Sequence, residues 1–167
     1  MLRIDLAPLG EGVHHVVLNP EAEAVDLDPD RFADLRVAAT LDLFQDRILV
    51  TIEAAARATL ECDRTLALFE QPIEGVYRIL FVPPSFVGGE DEEAGYEEVR
   101  VLQPSERRID LTEAVRDTLM LAVPTRKVAP GAEDIEIQTV YGAPADGAAI
   151  DPRWEALRAL QSGCDTD

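Results

Sequence analysis

Little in this chain points to catalysis, and its absences bound what it can be. Cys62 and Cys164 are its only cysteines in 167 residues, so no disulfide framework holds the fold and a reducing compartment is expected. Aromatic residues make up 5 %, which leaves aliphatic side chains and alanine to fill a core. No apolar run approaches the roughly 20 residues that span a bilayer. The opening Met1-Leu2-Arg3-Ile4-Asp5-Leu6 has neither an apolar signal core nor a small-residue cleavage site, which predicts a cytoplasmic protein. The chain also has no Gly-x-Ser-x-Gly elbow, phosphate loop or dinucleotide fingerprint, and Gly10-Glu11-Gly12 reads as a turn.

What the chain has in excess is negative charge. Against 15 basic residues stand 33 acidic ones, a net charge of −18. Lys127 is the one lysine; the other basic residues are arginine. Such a surface does not attract phosphate, which excludes a general nucleic-acid clamp. It suits a salt-rich cytoplasm, where self-repulsion is screened, or a basic protein partner, and the two are compatible.

Residues 1–18 read as a hairpin, with Leu2, Ile4 and Leu6 alternating, a turn at 8–12 and a return from Val13 to Leu18. Asn19 to Asp30 is a polar connection, and Asp28-Pro29 suits the start of a short helical turn through Leu35. Residues 35–62 carry the clearest pattern. Leu35, Val37, Ala39, Leu41 and Leu43 share one face, and Ile48, Val50, Ile52, Ala54, Ala56, Ala58, Leu60 and Cys62 share another. Period two over this length predicts half-buried antiparallel strands that turn at Gln45-Asp46. A third strand is expected from Gly75 to Val82 and a short one from Glu98 to Gln103, with a mobile acidic loop at 84–97 between them.

Apolar residues at three- and four-residue steps predict a helix over 111–123, capped by Asp110 with Glu113 as a capping box and ended by Pro124. Residues 125–150 read as less ordered around a candidate strand, Ile135 to Tyr141. A short helix, 152–161, follows, with Trp154, Leu157 and Leu160 as its apolar stripe. Strands first and helices late predict an α+β fold: a single antiparallel β-rich domain over 1–167, its sheet twisted or partly closed into a barrel.

Candidate chemistry is sparse. His14 and His15 are neighbours in a predicted strand, so they point to opposite faces and do not act on one substrate together. A structural zinc site needs four Cys or His ligands in paired spacing, which neither the cysteines nor the histidines provide. Cys62 continues an apolar face and reads as a buried, inert thiol; Cys164 lies in a polar tail. The acidic run at 90–98 lacks the ligand spacing of a calcium loop. One stretch departs from the overall acidity. From Val99 to Val128 six basic and four acidic side chains give +2, leaving −20 for the rest. Arg107-Arg108 precede the predicted helix and Arg126-Lys127 follow it, which makes these four the candidate contacts for RNA or a partner.

Three stretches carry a family resemblance. Thr59-Leu60-Glu61-Cys62-Asp63-Arg64-Thr65-Leu66 looks like a Cys-x-Arg-Cys-Leu signature at a strand end, with Cys62 and Arg64 matching. Ile109 to Pro124 looks like an Asp-Leu helix ending in Leu-x-x-Pro, with Asp110, Leu111 and Pro124 as its marks. Asp151-Pro152-Arg153, opening the last predicted helix, looks like an Asp-Pro-Arg motif near the end of the chain. In this order they resemble the YceD family, the large ribosomal RNA subunit accumulation proteins. Thr65 stands where many members have a second Cys, and 125–150 holds none of the cysteines found there in others. No metal site or cofactor is therefore carried over. The resemblance implies a non-enzymatic role in accumulation or processing of large-subunit ribosomal RNA, with a ribosomal RNA precursor, a basic ribosomal protein or both as partners and no membrane. The alternative is a small-ligand-binding β-rich module with a pocket between the long strands and the 111–123 helix.

A salt-adapted acidic surface makes stability depend on screening. Raising KCl from about 0.1 M to about 1 M shortens the Debye length from ~10 Å to ~3 Å. The melting temperature, followed calorimetrically, is expected to rise steeply over that range. A flat response would assign the acids to a partner instead.

Overall fold

The computed structural model describes residues 1–85 and 95–135. The chain divides into two compact units, Met1–Asp134 and Ile135–Asp167, and every element below belongs to the first. Most of the acidic loop at 84–97, the candidate strand beyond Ile135, and the helix at 152–161 with Asp151, Pro152 and Arg153 lie outside the described residues.

The alternation read at 35–62 becomes two long strands, β3 (Phe32–Phe44) and β4 (Arg47–Glu61), joined by the expected two-residue turn at 45–46. They belong to a five-stranded sheet with β2 (Gly12–Leu18), β5 (Leu68–Val82) and β6 (Glu98–Val101), in the order β2-β3-β4-β5-β6. Neighbours are antiparallel except β6, which runs parallel to β5. A separate two-stranded ribbon pairs β1 (Arg3–Asp5) with β7 (Arg108–Asp110). One helix, α1 (Thr112–Ala122), and a 3-10 turn, Ala22–Val25, complete the described residues. This is the expected α+β fold, and the sheet stays open rather than closing into a barrel.

The sheet is one-sided because its sequence alternates. Val37, Ala39 and Leu41 pair across to Ala54, Ile52 and Val50, and all six are buried. This face packs with Ile73, Ile79 and Phe81 of β5, with Ile4 and Ile109 of the ribbon, and with Val115 and Leu119 of α1. The opposite face carries Arg36, Ala38, Glu53, Arg57 and Val76 in register and stays open among the described residues.

Four expectations change. Residues 1–18 do not form a hairpin: β1 pairs with β7 and β2 pairs with β3. Period two marks strands but not their partners, and Ile4 is buried against Ile109, far along the chain. The helical turn through Leu35 is a single turn: the Phe32 N–H donates to the Asp28 carbonyl at 2.9 Å and the chain enters β3 at once. The third strand starts seven residues earlier than Gly75, at Leu68. Pro72 lies within this extension; β6 covers only Ile79–Val82, so among the described residues Pro72 sits where β5 is an edge and needs no donor on that side. Finally, no capping box forms. Leu111 occupies the cap position, the Asp110 carboxylate accepts the Thr112 N–H at 3.0 Å, and Glu113 turns to Arg100 and Arg116. Asp110 is held in β7 opposite Arg3, one residue too early to cap.

At Gly75 the helix lies close against the sheet. A Cβ there would lie 2.7 Å from Thr118 Cγ2 and 3.2 Å from the Thr118 carbonyl oxygen. Thr118 cannot yield: it is buried, and its hydroxyl donates to the Ala114 carbonyl at 2.7 Å, which fixes its rotamer. Gly75→Ala is therefore expected to destabilise by about 1–3 kcal/mol through overpacking. The loss of unfolded-chain entropy, about 0.4–1 kcal/mol in its favour, offsets part of this. A denaturant melt checks the sign; an unchanged or higher midpoint would show that α1 sits further from β5.

Candidate functional site

Where β4 ends, the chain folds into a tight knuckle. The Leu66 N–H donates to the Cys62 carbonyl and the Cys62 N–H to the Ala67 carbonyl, both at 2.9 Å, with Leu66 in the left-handed region at φ 58°. The segment after α1 docks on this knuckle. The Asp63 N–H donates to the Lys127 carbonyl and the Lys127 N–H returns to the Asp63 carboxylate, each at 2.7 Å. Two residues on, the Ala129 N–H donates to the Cys62 sulfur at 3.3 Å. The first sequence motif and the segment that follows the second are thus one structural feature.

Cys62 is completely buried, as its place in the alternation suggested, but it does not join the main core. Hydrogen-bond donors nevertheless surround its sulfur. The Ala129 N–H, the Thr65 hydroxyl and the Arg64 and Thr65 N–H groups outweigh burial and bring the thiol down from 9.0 to about 7. Ala129 had no mark in the sequence; Thr65, beside the Cys, was the visible half of the arrangement. The residues do not fit a thiolate metal centre, which needs four sulfur or imidazole ligands where this knuckle offers one thiol and a hydroxyl.

The four basic residues singled out in the sequence separate into two pairs. Arg107 and Arg108 lie at the β1–β7 ribbon: the Arg107 carbonyl accepts the Leu6 N–H at 2.8 Å, and the Arg108 guanidinium is 3.8 Å from Asp5. Arg126, exposed, and Lys127, half-buried, sit on the knuckle beside Arg64. Arg100 is taken up internally. It grips Glu98 with bonds of 2.7 and 3.0 Å and reaches Glu113 of α1 at 3.5 Å, clamping β6 to the helix. Asp110 is likewise structural: burial opposes its charge, but Thr112 and the Arg3 guanidinium hold its carboxyl below the usual carboxylate range. Leu111 is buried, and Pro124 follows the end of α1.

The histidines face opposite ways, as expected. His14 Nε2 lies 2.8 Å from the Gly10 carbonyl, and His15 Nδ1 lies 3.0 Å from the Thr40 hydroxyl. No three metal-ligating side chains gather among the described residues. The space between the long strands and α1 is filled by side chains. The surface depressions over β3–β5 are lined by Arg36, Ala38, Glu53, Ala55 and Arg57, on the face away from the helix. No described helix is long and apolar enough to cross a membrane.

A family model described as large ribosomal RNA subunit accumulation protein YceD matches residues 50–161, more than half of the chain. The chain belongs to the YceD family. The match includes β4 from Val50 onward, β5 to β7, α1 and the knuckle, together with all three motif stretches. No curated protein and no solved structure is significantly similar to the chain. In this chain the knuckle is where the Cys62-x-Arg64 strand end meets the stretch after the Pro124-terminated helix.

The lowered thiol makes a pH prediction. A group more acidic in the folded chain than in the unfolded one adds stability fully above its unfolded pKa and loses it as pH falls through the folded value. The stability lost in Cys62→Ser is thus expected to grow from pH 7 to pH 9 and to stay level below pH 7, measured by paired denaturant melts. A pH-independent difference would mean that the N–H groups do not favour the thiolate. In the same protein, chelator is expected to leave the melting temperature unchanged.

Proposed function

We propose that the chain is a non-enzymatic factor in accumulation and processing of large-subunit ribosomal RNA, working in the cytoplasm on a precursor particle or one of its ribosomal proteins. The family match over residues 50–161 is the observation that carries this reading. The charge distribution refines it. A net charge of −18 disfavours a broad RNA-binding surface and points to a small, local RNA contact. The knuckle suits this: Arg64, Arg126 and Lys127 are brought onto one feature by the Asp63–Lys127 bonds. Arg107 and Arg108 are the second basic pair, set in a ribbon with acidic neighbours at Asp5 and Asp110. Each phosphate neutralised on a single strand contributes about −0.7 to the slope of log affinity against log salt, so three contacts give a modest, measurable dependence.

The test is a pull-down from native lysate at the host's own salt, with sequencing of bound RNA and mass spectrometry of bound protein. The wild-type chain is expected to retain large-subunit RNA precursor and basic ribosomal proteins. Replacing Arg64, Arg126 and Lys127 with Glu is expected to remove the RNA, while Glu at Arg107 and Arg108 leaves it. The reverse pattern would move the contact to the ribbon, and wild-type recovery of neither RNA nor ribosomal protein would overturn the proposed role.

A further inference from the structure

The five-stranded sheet has two edges, and only one is defended. Open edges invite pairing, and proteins blunt them with short strands, charge or proline. The β6 edge follows that rule: four residues, two of them the paired Glu98 and Arg100. The β2 edge does not. Its seven residues, Gly-Val-His-His-Val-Val-Leu, include no Asp, Glu, Lys, Arg or Pro. Every one of them pairs with β3 on one side, and among the described residues nothing pairs on the other. Val13 and Val17 stand on the open sheet face, 57 % and 54 % exposed, with His15 between them. In a chain that is 29 % charged, so long an uncharged edge is a departure from its own composition.

The flanks indicate what such an edge accepts. From Ile4 to Asp30 there are seven acidic residues and no Lys or Arg. All seven are exposed, Glu11 just before β2 and Glu21 and Glu23 just after it. Of the seven, Asp5 pairs with Arg108 and Asp26 lies near Arg116, both away from β2. Asp42, directly across from Val13, adds another exposed carboxylate beside the strand. A second copy of the chain is the wrong partner. Antiparallel self-pairing centred on His15 would match Val13 with Val17, but it would set Glu11 of one copy opposite Asn19 of the other, two residues from its Glu21. A strand with basic ends meets the same edge without that repulsion.

We infer that β2 is a docking edge for an extended Lys/Arg-rich protein segment, which adds as a sixth strand. Its main chain bonds the free side of β2, alternate apolar side chains lie beside Val13 and Val17, and its cations face Glu11, Glu21, Glu23 and Asp42. This does not depend on the proposed role with ribosomal RNA; it requires only a basic segment, and β2 lies outside the matched residues 50–161.

The test uses the full chain and a synthetic peptide, Arg-Arg-Val-Thr-Val-Thr-Val-Arg-Arg, with a control carrying Glu for each Arg. Amide exchange and nitrogen–proton NMR shifts are read along β2. The basic peptide is expected to protect the β2 amides that do not bond β3, and the acidic peptide to leave them unchanged. Reversing Glu11, Glu21 and Glu23 to Lys, a change confined to exposed side chains, is expected to weaken binding by about tenfold or more. Val17→Lys, which places a charge on the edge itself, is expected to abolish it while the melt shows the chain still folded. Equal binding of both peptides, or shifts located elsewhere, would overturn the inference. So would full protection of β2 in the free chain, which would mean that the edge is already covered by its own residues. A β2-dependent dimer would assign the edge to a second copy.

Discussion

The described unit depends on how closely α1 lies against β5. A core this poor in aromatics has little area per side chain, so burial must come from close approach. Gly75 permits it, with Thr118 in the space a Cβ would take. The alanines Ala54, Ala56 and Ala58 of β4 extend the same low surface, and Ala114 presents a small side chain from the helix. Each buried methylene contributes about 0.8 kcal/mol, and a helix held further out would leave gaps across the whole layer. The hydrogen bond from Thr118 to Ala114 keeps the one polar group at this contact satisfied.

That contact decides which surfaces remain. With α1, the 3-10 turn and the β1–β7 ribbon on one side, the sheet's other face and the β2 edge are left open among the described residues. The Arg100–Glu98–Glu113 clamp anchors β6 to the helix, whereas among the described residues β2 pairs with β3 alone and packs Val16 and Leu18 against the core. Past the end of α1 the chain returns to the end of β4, and the Cys62 knuckle fixes that return with three bonds from residues 127 and 129. The basic residues next to it are placed there by the backbone, not by attraction to one another.

Much of the architecture was legible in particular residues. The run from Leu35 to Leu60 announced β3 and β4, their buried face and their turn, because a one-sided sheet imposes period two on every residue it holds. The spacing of Ala114, Val115, Thr118 and Leu119 announced α1 in the same way. Local signals misled where a neighbour changed their meaning. Residues 1–18 read as a hairpin until β7 is seen to take β1, and Asp110 reads as a cap until Arg3 is seen to hold it in a strand. Of the candidate site, Cys62 and Arg64 were marked by the motif, but Ala129 was not, since a backbone N–H has no residue signature.

By itself the sequence determined the class of the fold, the long strands, the helix and a net charge of −18, because these follow from periodicity and composition. It also placed the chain in its family through motifs in order. Only the tertiary structure decided that β1 joins β7 rather than β2, that Arg107 and Arg108 join the β1–β7 ribbon while Lys127 docks on the end of β4, and that Cys62 is met by Ala129. The physical reason is common to all three. Pairing across long stretches of chain is selected by shape and burial in the assembled unit, and neither leaves a local pattern in the residues concerned.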